Sequence, residues 1–201
     1  MAEKSISVSN LVNGTTRLQP VVLQIGQIAG LIASEAVNKN INTQQIDIRT
    51  IQTKFLNRGG YIQPFLDVEK NHAFFKAYQR IGSTGILGGT GLNVGWSNQT
   101  WFYPEKDIEF NLLKSDLADY YDLDEFPLSD LKIHSVFKWI SLISNQEIKN
   151  YDQAWVDLGL SNFDKNRIMK RGEFAIIVDY FLNPFKSFKV DFEGQLIHYE
   201  R

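Results

Sequence analysis

The chain has 201 residues, of which 43% are hydrophobic and 22% are charged, and its net charge is −2. This composition is typical of a soluble globular protein with one large or two small domains, and the net charge argues against nucleic-acid binding. The chain contains no cysteine, which excludes disulfides, thiolate catalysis and cysteine-based zinc or iron–sulfur sites.

Targeting signals are not visible in the sequence. The first residues, Met1–Ser5, lack the apolar segment of a signal peptide. The longest apolar run, Val21–Ala33, has only about a dozen residues and includes two glutamines, whereas a membrane-spanning helix needs roughly 20 apolar residues. We therefore predict a soluble chain without a membrane span. The compartment stays open between cytoplasm and periplasm, because periplasmic proteins can also lack cysteine.

The first 40 residues predict a strand, a turn and a long apolar helix. Ile6–Val8 read as a short buried strand and Asn10–Thr16 as a turn, and Pro20 suits the first turn of a helix. Val21–Val37 is apolar on nearly every side, which is typical of a helix enclosed by its neighbours. Small residues recur at spacings of three and four, so another backbone could approach closely: Gly26, Ala29, Gly30 and Ala33.

A second helix is predicted to begin at Asp47, a good N-cap residue, and to end at Gly59–Gly60. Pro64 and Asp67 follow as boundary signals. Residues 1–65 carry 6 Lys/Arg and 3 Asp/Glu, whereas residues 66–201 carry 15 and 20. We therefore predict two domains, residues 1–64 and residues 65–201.

The second half predicts several helices and little strand. Alternating apolar residues predict a short strand from Ile108 to Leu112, and a β-hairpin is predicted within 188–199 around Glu193–Gly194. Between the first two helices of this half lies a glycine-rich loop, Gly82–Gly91. Helices are expected at residues 73–81, 115–121, 129–143, 151–158 and 172–182.

The second half also contains a loose internal repeat. Each unit has a helix, a Gly-Ile or Gly-Leu pair, a long loop and a further helix. The pairs are Gly85–Ile86 and Gly159–Leu160.

Several N-terminal motifs occur in a fixed order: Ser7–Asn10, Gly14–Pro20, Gly26–Gly30 and Asp47–Gln52. Together they resemble the C-terminal end of the bacterial FAD-dependent oxidoreductase family, over roughly residues 4–60. In that family a segment of the type S-x-S-H leads into G-S-x-R-x-x-P and the helix G-Q-A-A-G. The resemblance implies that the loop and the helix N-terminus lie against the flavin. The FAD-binding residues implied are Asn13, Gly14, Thr15, Thr16, Arg17, Leu18 and Gln19.

The chain departs from the family pattern in two places. Asn10 stands where the family has histidine, so the resemblance implies no catalytic residue at that position. No G-x-G-x-x-G follows a strand, and this turn is the main anchor of the FAD pyrophosphate. Gly88–Gly91 does not replace it, because a helix precedes it. The expectation is that FAD is bound by a full-length parent protein and not by this chain alone.

Residues 66–200 resemble S-layer-homology motifs, which have an initial helix, a Gly-Ile-x-x-G turn and a later helix. The matching segments are Gly85–Gly89 and Lys170–Ala175. This resemblance implies an appended accessory domain that contacts a polymer or a partner protein.

Other residue groups admit a structural and a functional reading. Six aromatic residues suit either a sugar-stacking platform or a core, and a core is more common: Trp96, Trp101, Phe102, Tyr103, Trp139 and Trp155. The acidic residues between Asp116 and Glu125 lack the spacing of a calcium loop. His72, His134 and His198 are too far apart in sequence to predict a metal site, and Lys170–Arg171 read as surface charge.

The sequence as a whole predicts a mainly α chain. It would contain an N-terminal strand and buried helices from the end of a FAD-binding domain, followed by a helical accessory domain with a small β-hairpin. The expected function is that of a C-terminal fragment of a FAD-dependent oxidoreductase, and the alternative is a non-catalytic module that binds polysaccharide or protein. The expected partners are the missing FAD domain and, through the apolar helix, a second copy of the chain.

Overall fold

Helices dominate the computed structural model of the chain, in which the described residues are Ser9, Gly14, Thr16 and 18–197. Among them there is one two-stranded antiparallel sheet, so the predicted mainly α class with a small β-hairpin is confirmed. The fold divides into two units, residues 1–60 with 189–201, and residues 61–188. The assignment of residues 1–64 to a flavin domain and 65–201 to an accessory domain stays a prediction.

The first unit contains helix α1 (Gln19–Lys39), a 3₁₀ turn (Thr43–Gln45) and helix α2 (Ile48–Asn57). The predicted strand at Ile6–Val8 lies outside the described residues. Helix α2 begins as predicted, because the Asp47 carboxylate accepts a hydrogen bond of 3.0 Å from the Thr50 N–H. Helices α1 and α2 pack together, and α2 buries three apolar side chains: Ile51, Phe55 and Leu56.

The second unit follows in chain order. Its elements are α3 (Phe75–Thr84), β1 (Thr90–Val94), β2 (Ser97–Trp101), α4 (Phe110–Ala118), α5 (Ile133–Ser144), α6 (Tyr151–Asp157), α7 (Arg171–Phe181) and α8 (Pro184–Ser187). Helix α7 is almost wholly buried and packs against α3. Arg80 on α3 donates two hydrogen bonds to the Asp179 carboxylate on α7. This ion pair links helices α3 and α7.

Two local predictions in this unit are corrected. The two-stranded hairpin lies at β1 and β2, while residues 188–199 supply only an isolated Val190–Leu196 bridge among their described part. The predicted strand from Ile108 to Leu112 is wrong, because Phe110 already begins helix α4. That helix buries Leu113 and Leu117 one turn apart, so the helical spacing prevails over the short alternation.

Candidate functional site

Helix α1 begins without a side-chain cap. Leu18 is the N-cap residue in an extended conformation, its side chain accepts no capping bond, and the first turn contains Pro20 and no acidic residue. The first backbone N–H groups of a helix have no partner within the helix and carry partial positive charge. This end of α1 therefore suits an acceptor oxygen or developing negative charge from a bound group.

Four of the predicted FAD-binding residues are described. Gly14 and Thr16 have helical backbone conformation, and Leu18 and Gln19 lie at the start of α1. Gly14 is exposed, and a Cβ atom built on it would meet no described atom within 4 Å. Asn13, Thr15 and Arg17 lie outside the described residues. The predicted turn over Asn10–Thr16 is thus wrong at Gly14 and Thr16, because both are helical.

The two sides of helix α1 differ in cover. Leu31 and Glu35 are buried on one side, whereas Leu23 is 73% exposed and Val37 79% exposed on the other. The predicted small-residue stripe lies on the exposed side. A Cβ built on Gly26 or Gly30 would meet nothing within 4 Å among the described residues. The expected enclosure of α1 is therefore only partial in this chain, and the uncovered side combines apolar residues with polar ones such as Gln27 and Ser34.

Glu35 fixes the covered side of α1. Its side chain is 3% exposed, and it binds Lys39 at 2.8 Å and also Lys54 on helix α2. The hydrogen bonds from Lys39 and Lys54 lower the pKa of the Glu35 carboxyl. A carboxylate paired with two ammonium groups holds α1 against α2 and leaves the glycine side of α1 free.

Helix α1 has 21 residues, more than the apolar run Val21–Ala33 on which the sequence argument against a membrane span was based. Within the described part of the chain, it is the helix whose length and composition would allow it to cross a membrane. Apolar helices of soluble proteins satisfy the same criterion. The absence of a membrane span therefore stays a prediction.

The second unit contains a cleft of about 420 Å³ beside the glycine-rich loop. Arg171 lies in its wall and donates hydrogen bonds to the carbonyl of Gly88 at 2.8 Å and to that of Phe102 at 2.9 Å. Burial lowers the pKa of the Arg171 guanidinium and raises that of the neighbouring Asp116 carboxyl. The reading of Arg171 as plain surface charge is thus wrong, because its guanidinium closes the loop onto helix α7.

A second cleft, of about 380 Å³, lies on the same unit. Arg167 in its wall forms a two-pronged ion pair with Glu173, with nitrogen–oxygen distances of 2.8 and 2.7 Å. The rings of His72 and Tyr78, 5.3 Å apart, also line it. Both clefts combine aromatic and charged groups, which suits a polar ligand more than an apolar one.

The six aromatic residues considered as a stacking platform do not lie together. Phe102, Trp139 and Trp155 are fully buried in the core, where large aromatic side chains usually lie. Trp101 and Tyr103 stack at 5.7 Å, and the Lys106 ammonium lies 3.4 Å from the centre of the Tyr103 ring. Trp96 is fully exposed in the hairpin turn. Of the six, Trp96 therefore presents a fully exposed ring for sugar stacking, while Trp101 and Tyr103 are partly covered by each other and by Lys106.

The titratable groups form no metal centre among the residues that the structure describes, since no three of the His, Asp and Glu side chains converge there. The Asp122 side chain instead accepts the backbone N–H groups of Asp124 and Glu125. His134 binds the carbonyl of Lys165 at 2.8 Å. His198 lies outside the described residues.

Comparison with known proteins gives one positive result. Residues 1–55 match the profile of a family described as FAD dependent oxidoreductase. No curated protein and no solved structure matches the chain. The chain is therefore related to FAD-dependent oxidoreductases through the segment that contains Gly14, helix α1 and most of helix α2.

Proposed function

We propose that this chain is the C-terminal part of a bacterial FAD-dependent oxidoreductase. Residues 1–64 would form one wall of the flavin site, and residues 65–201 would be an accessory domain. The observation that carries the proposal is the family match over residues 1–55. The catalytic residues and the phosphate-binding turn would belong to another part of the parent enzyme.

The uncapped N-terminus of α1 supports this role. FAD supplies hydride transfer when it is bound. Backbone N–H groups at the start of α1 would face the pyrimidine edge of the flavin and stabilise negative charge there. The sequence places the cation Arg17 directly before this helix. Gly14 would let the backbone before α1 approach the ring closely, because it has no side chain in the way.

The exposed side of α1 supports a missing partner domain. Leu23, Gly26, Gly30 and Val37 form an apolar surface that the described residues leave open. In the parent enzyme this surface would pack against the FAD-binding domain, and the glycines would allow close backbone contact. In the isolated chain the same surface would favour association with a second copy.

The test is to co-express the chain with the polypeptide encoded immediately upstream of it and to measure the visible absorbance of flavin in the purified complex. Gly30→Leu fills the small-residue stripe and is expected to lower the flavin content at least about tenfold, since overpacking prevents close docking. Gln27→Leu places the same leucine side chain at an exposed position outside the stripe, without filling the stripe, and is expected to retain flavin.

A complex that purifies with flavin and loses it with Gly30→Leu alone supports the proposal. A complex that contains no flavin, or flavin that is retained equally by both variants, contradicts it. Circular dichroism of each variant of the chain alone separates loss of docking from loss of helix α1.

The second candidate is a non-catalytic binding module formed by residues 66–201. Exposed Trp96, the Trp101–Tyr103 stack and the two mixed clefts support it. Such a module would contact a cell-wall polysaccharide or a protein, in the manner of S-layer-homology motifs. Binding of the full chain to a glycan array, abolished by Trp96→Ala, favours this role. If the chain binds no glycan on the array and no protein partner, that result would count against this role.

A further inference from the structure

The hairpin of β1 and β2 has an open outer edge. Strand β2 pairs with β1 in register from Thr90–Trp101 to Val94–Ser97, and its other side meets Phe65 through Thr100. No described strand pairs with the outer edge of β1, and all five residues of β1 are exposed. An unpaired edge presents backbone N–H and carbonyl groups that fit another strand.

This edge has none of the features that usually prevent pairing between copies. Residues 81–104 contain no charged residue, although 44 of the 201 residues of the chain are charged. Strand β1 also contains no proline. Natural edge strands are commonly protected by lysine, proline or a bulge. Because β1 has neither lysine nor proline, no like charges on this strand would repel a second copy.

The sequence of β1 is compatible with pairing to itself. In an antiparallel pair centred on Leu92, Leu92 lies opposite Leu92 of the second copy, and Val94 lies opposite Thr90. All of these side chains lie on one face of the strand, so the exposed aliphatic residues of both copies would cover each other. A two-fold arrangement of this kind is closed and cannot extend into a fibre through β1.

The same register gives the exposed tryptophan a partner. Gly95 has φ of +58°, which suits the first position of a two-residue hairpin turn, and Trp96 follows it at the tip. Because Val94 would lie opposite Thr90 of the second copy, the turn that contains Trp96 would lie next to the residues that precede Thr90, which include Gly88. A Cβ on Gly88 would meet nothing within 4 Å, and Gly88 borders the cleft that contains Arg171. In the proposed pairing the indole would have open space beside Gly88 of the second copy.

We propose that β1 is a homodimer interface in which two copies pair antiparallel about Leu92 and each places Trp96 against the glycine-rich loop of the other. Five residues per strand make a small interface, so the dimer is expected to be weak and concentration-dependent. The proposal does not depend on flavin binding.

The test is sedimentation velocity of the full chain over about a hundredfold range of concentration. Every variant carries Leu23→Lys on α1, which removes association through that helix. We expect Leu23→Lys alone to dimerise. Adding Leu92→Lys or Leu92→Glu sets like charges opposite each other and weakens the dimer at least about tenfold. An equal mixture of these two variants is expected to dimerise again, because residue 92 pairs with itself.

The matched control is Leu142→Lys, which puts the same charge at an exposed position on α5, and it is expected to leave the dimer unchanged. Trp96→Ser is expected to weaken the dimer without preventing it. A chain that stays monomeric at every concentration with Leu23→Lys overturns the proposal. So does a dimer that persists with Leu92→Lys, or a mixture of the Lys and Glu variants that stays monomeric.

Discussion

The two units differ in how completely they cover their apolar residues. Residues 61–188 enclose large side chains, with Trp139 and Trp155 at most 1% exposed. Residues 1–60 leave Leu23 and Val37 largely exposed along a 21-residue helix. The family match covers residues 1–55, within the first unit. The part of the chain related to flavoenzymes is thus the part with the less complete packing, and the match does not extend into residues 61–188.

Core truncation gives the largest expected difference between the units. Trp155→Ala removes a fully buried side chain whose indole N–H binds the carbonyl of Ser161, and should lower the free energy of unfolding by about 3–5 kcal/mol. Leu23→Ala on α1 should change it by less than about 0.5 kcal/mol, because the side chain is exposed. Urea titration followed by circular dichroism measures both. Equal losses would show that α1 is covered after all.

Removal of the Arg171 side chain is expected to have the next largest effect. Arg171→Ala leaves the carbonyls of Gly88 and Phe102 without their charged donor and should cost about 2 kcal/mol. Arg171→Lys should recover less than half of this, since an ammonium cannot reach both carbonyls in the fork geometry. Unfolding followed by tryptophan fluorescence reports on this unit, because all four tryptophans lie within residues 61–188. A variant as stable as the wild type would contradict the assigned role.

Replacing two helix glycines with alanine is expected to change the free energy of unfolding in opposite directions. A Cβ on Gly172 of α7 would lie 2.9 Å from Pro104 Cβ and 3.1 Å from its carbonyl oxygen, so Gly172→Ala should destabilise the chain by about 1–2 kcal/mol. Gly30→Ala on α1 should stabilise it by up to about 1 kcal/mol, since no atom obstructs the new methyl group and alanine favours the helix. Thermal unfolding measures both, and a loss of stability with Gly30→Ala would show a contact on that face.

Acidification should affect the first unit through Glu35, and this is the smallest of the expected effects. Lys39 and Lys54 hold the pKa of Glu35 below its ordinary value of 4.5. The ion pairs therefore contribute full stability above that pH, and the contribution is lost as the pH falls through the lowered pKa. Glu35→Gln should flatten this dependence of helix content on pH, while Glu69→Gln, a change at an exposed position, should preserve it. Identical acid profiles for the wild type and Glu35→Gln would refute the role of Glu35.

The sequence predicts helices where periodicity and capping agree. Asp47 caps α2 as expected, and α7 differs from its predicted bounds by one residue at each end. The β1–β2 hairpin could not be predicted, because Gly91 and Asn93 have low β propensity and glycines dominate the preceding loop. Strand β2 also meets Phe65 through Thr100, a contact between residues 35 positions apart that local sequence does not encode.

The candidate sites also differ in whether local sequence indicates them. The motifs around Gly14 and Gly26 indicated the flavoenzyme relationship, because their order and spacing are local properties of the sequence. The function of Arg171 in closing the glycine-rich loop was missed, since its two acceptors lie 69 and 83 residues earlier in the chain.

The most direct test of the flavoenzyme proposal is to determine the DNA sequence upstream of the Met1 codon. We predict a continuous or frame-shifted reading frame that leads into Met1 and encodes a strand, a G-x-G-x-x-G turn and a helix, which together would anchor the FAD pyrophosphate. An unrelated gene or a transcription terminator at this place would contradict the account, and the binding-module role would then be favoured.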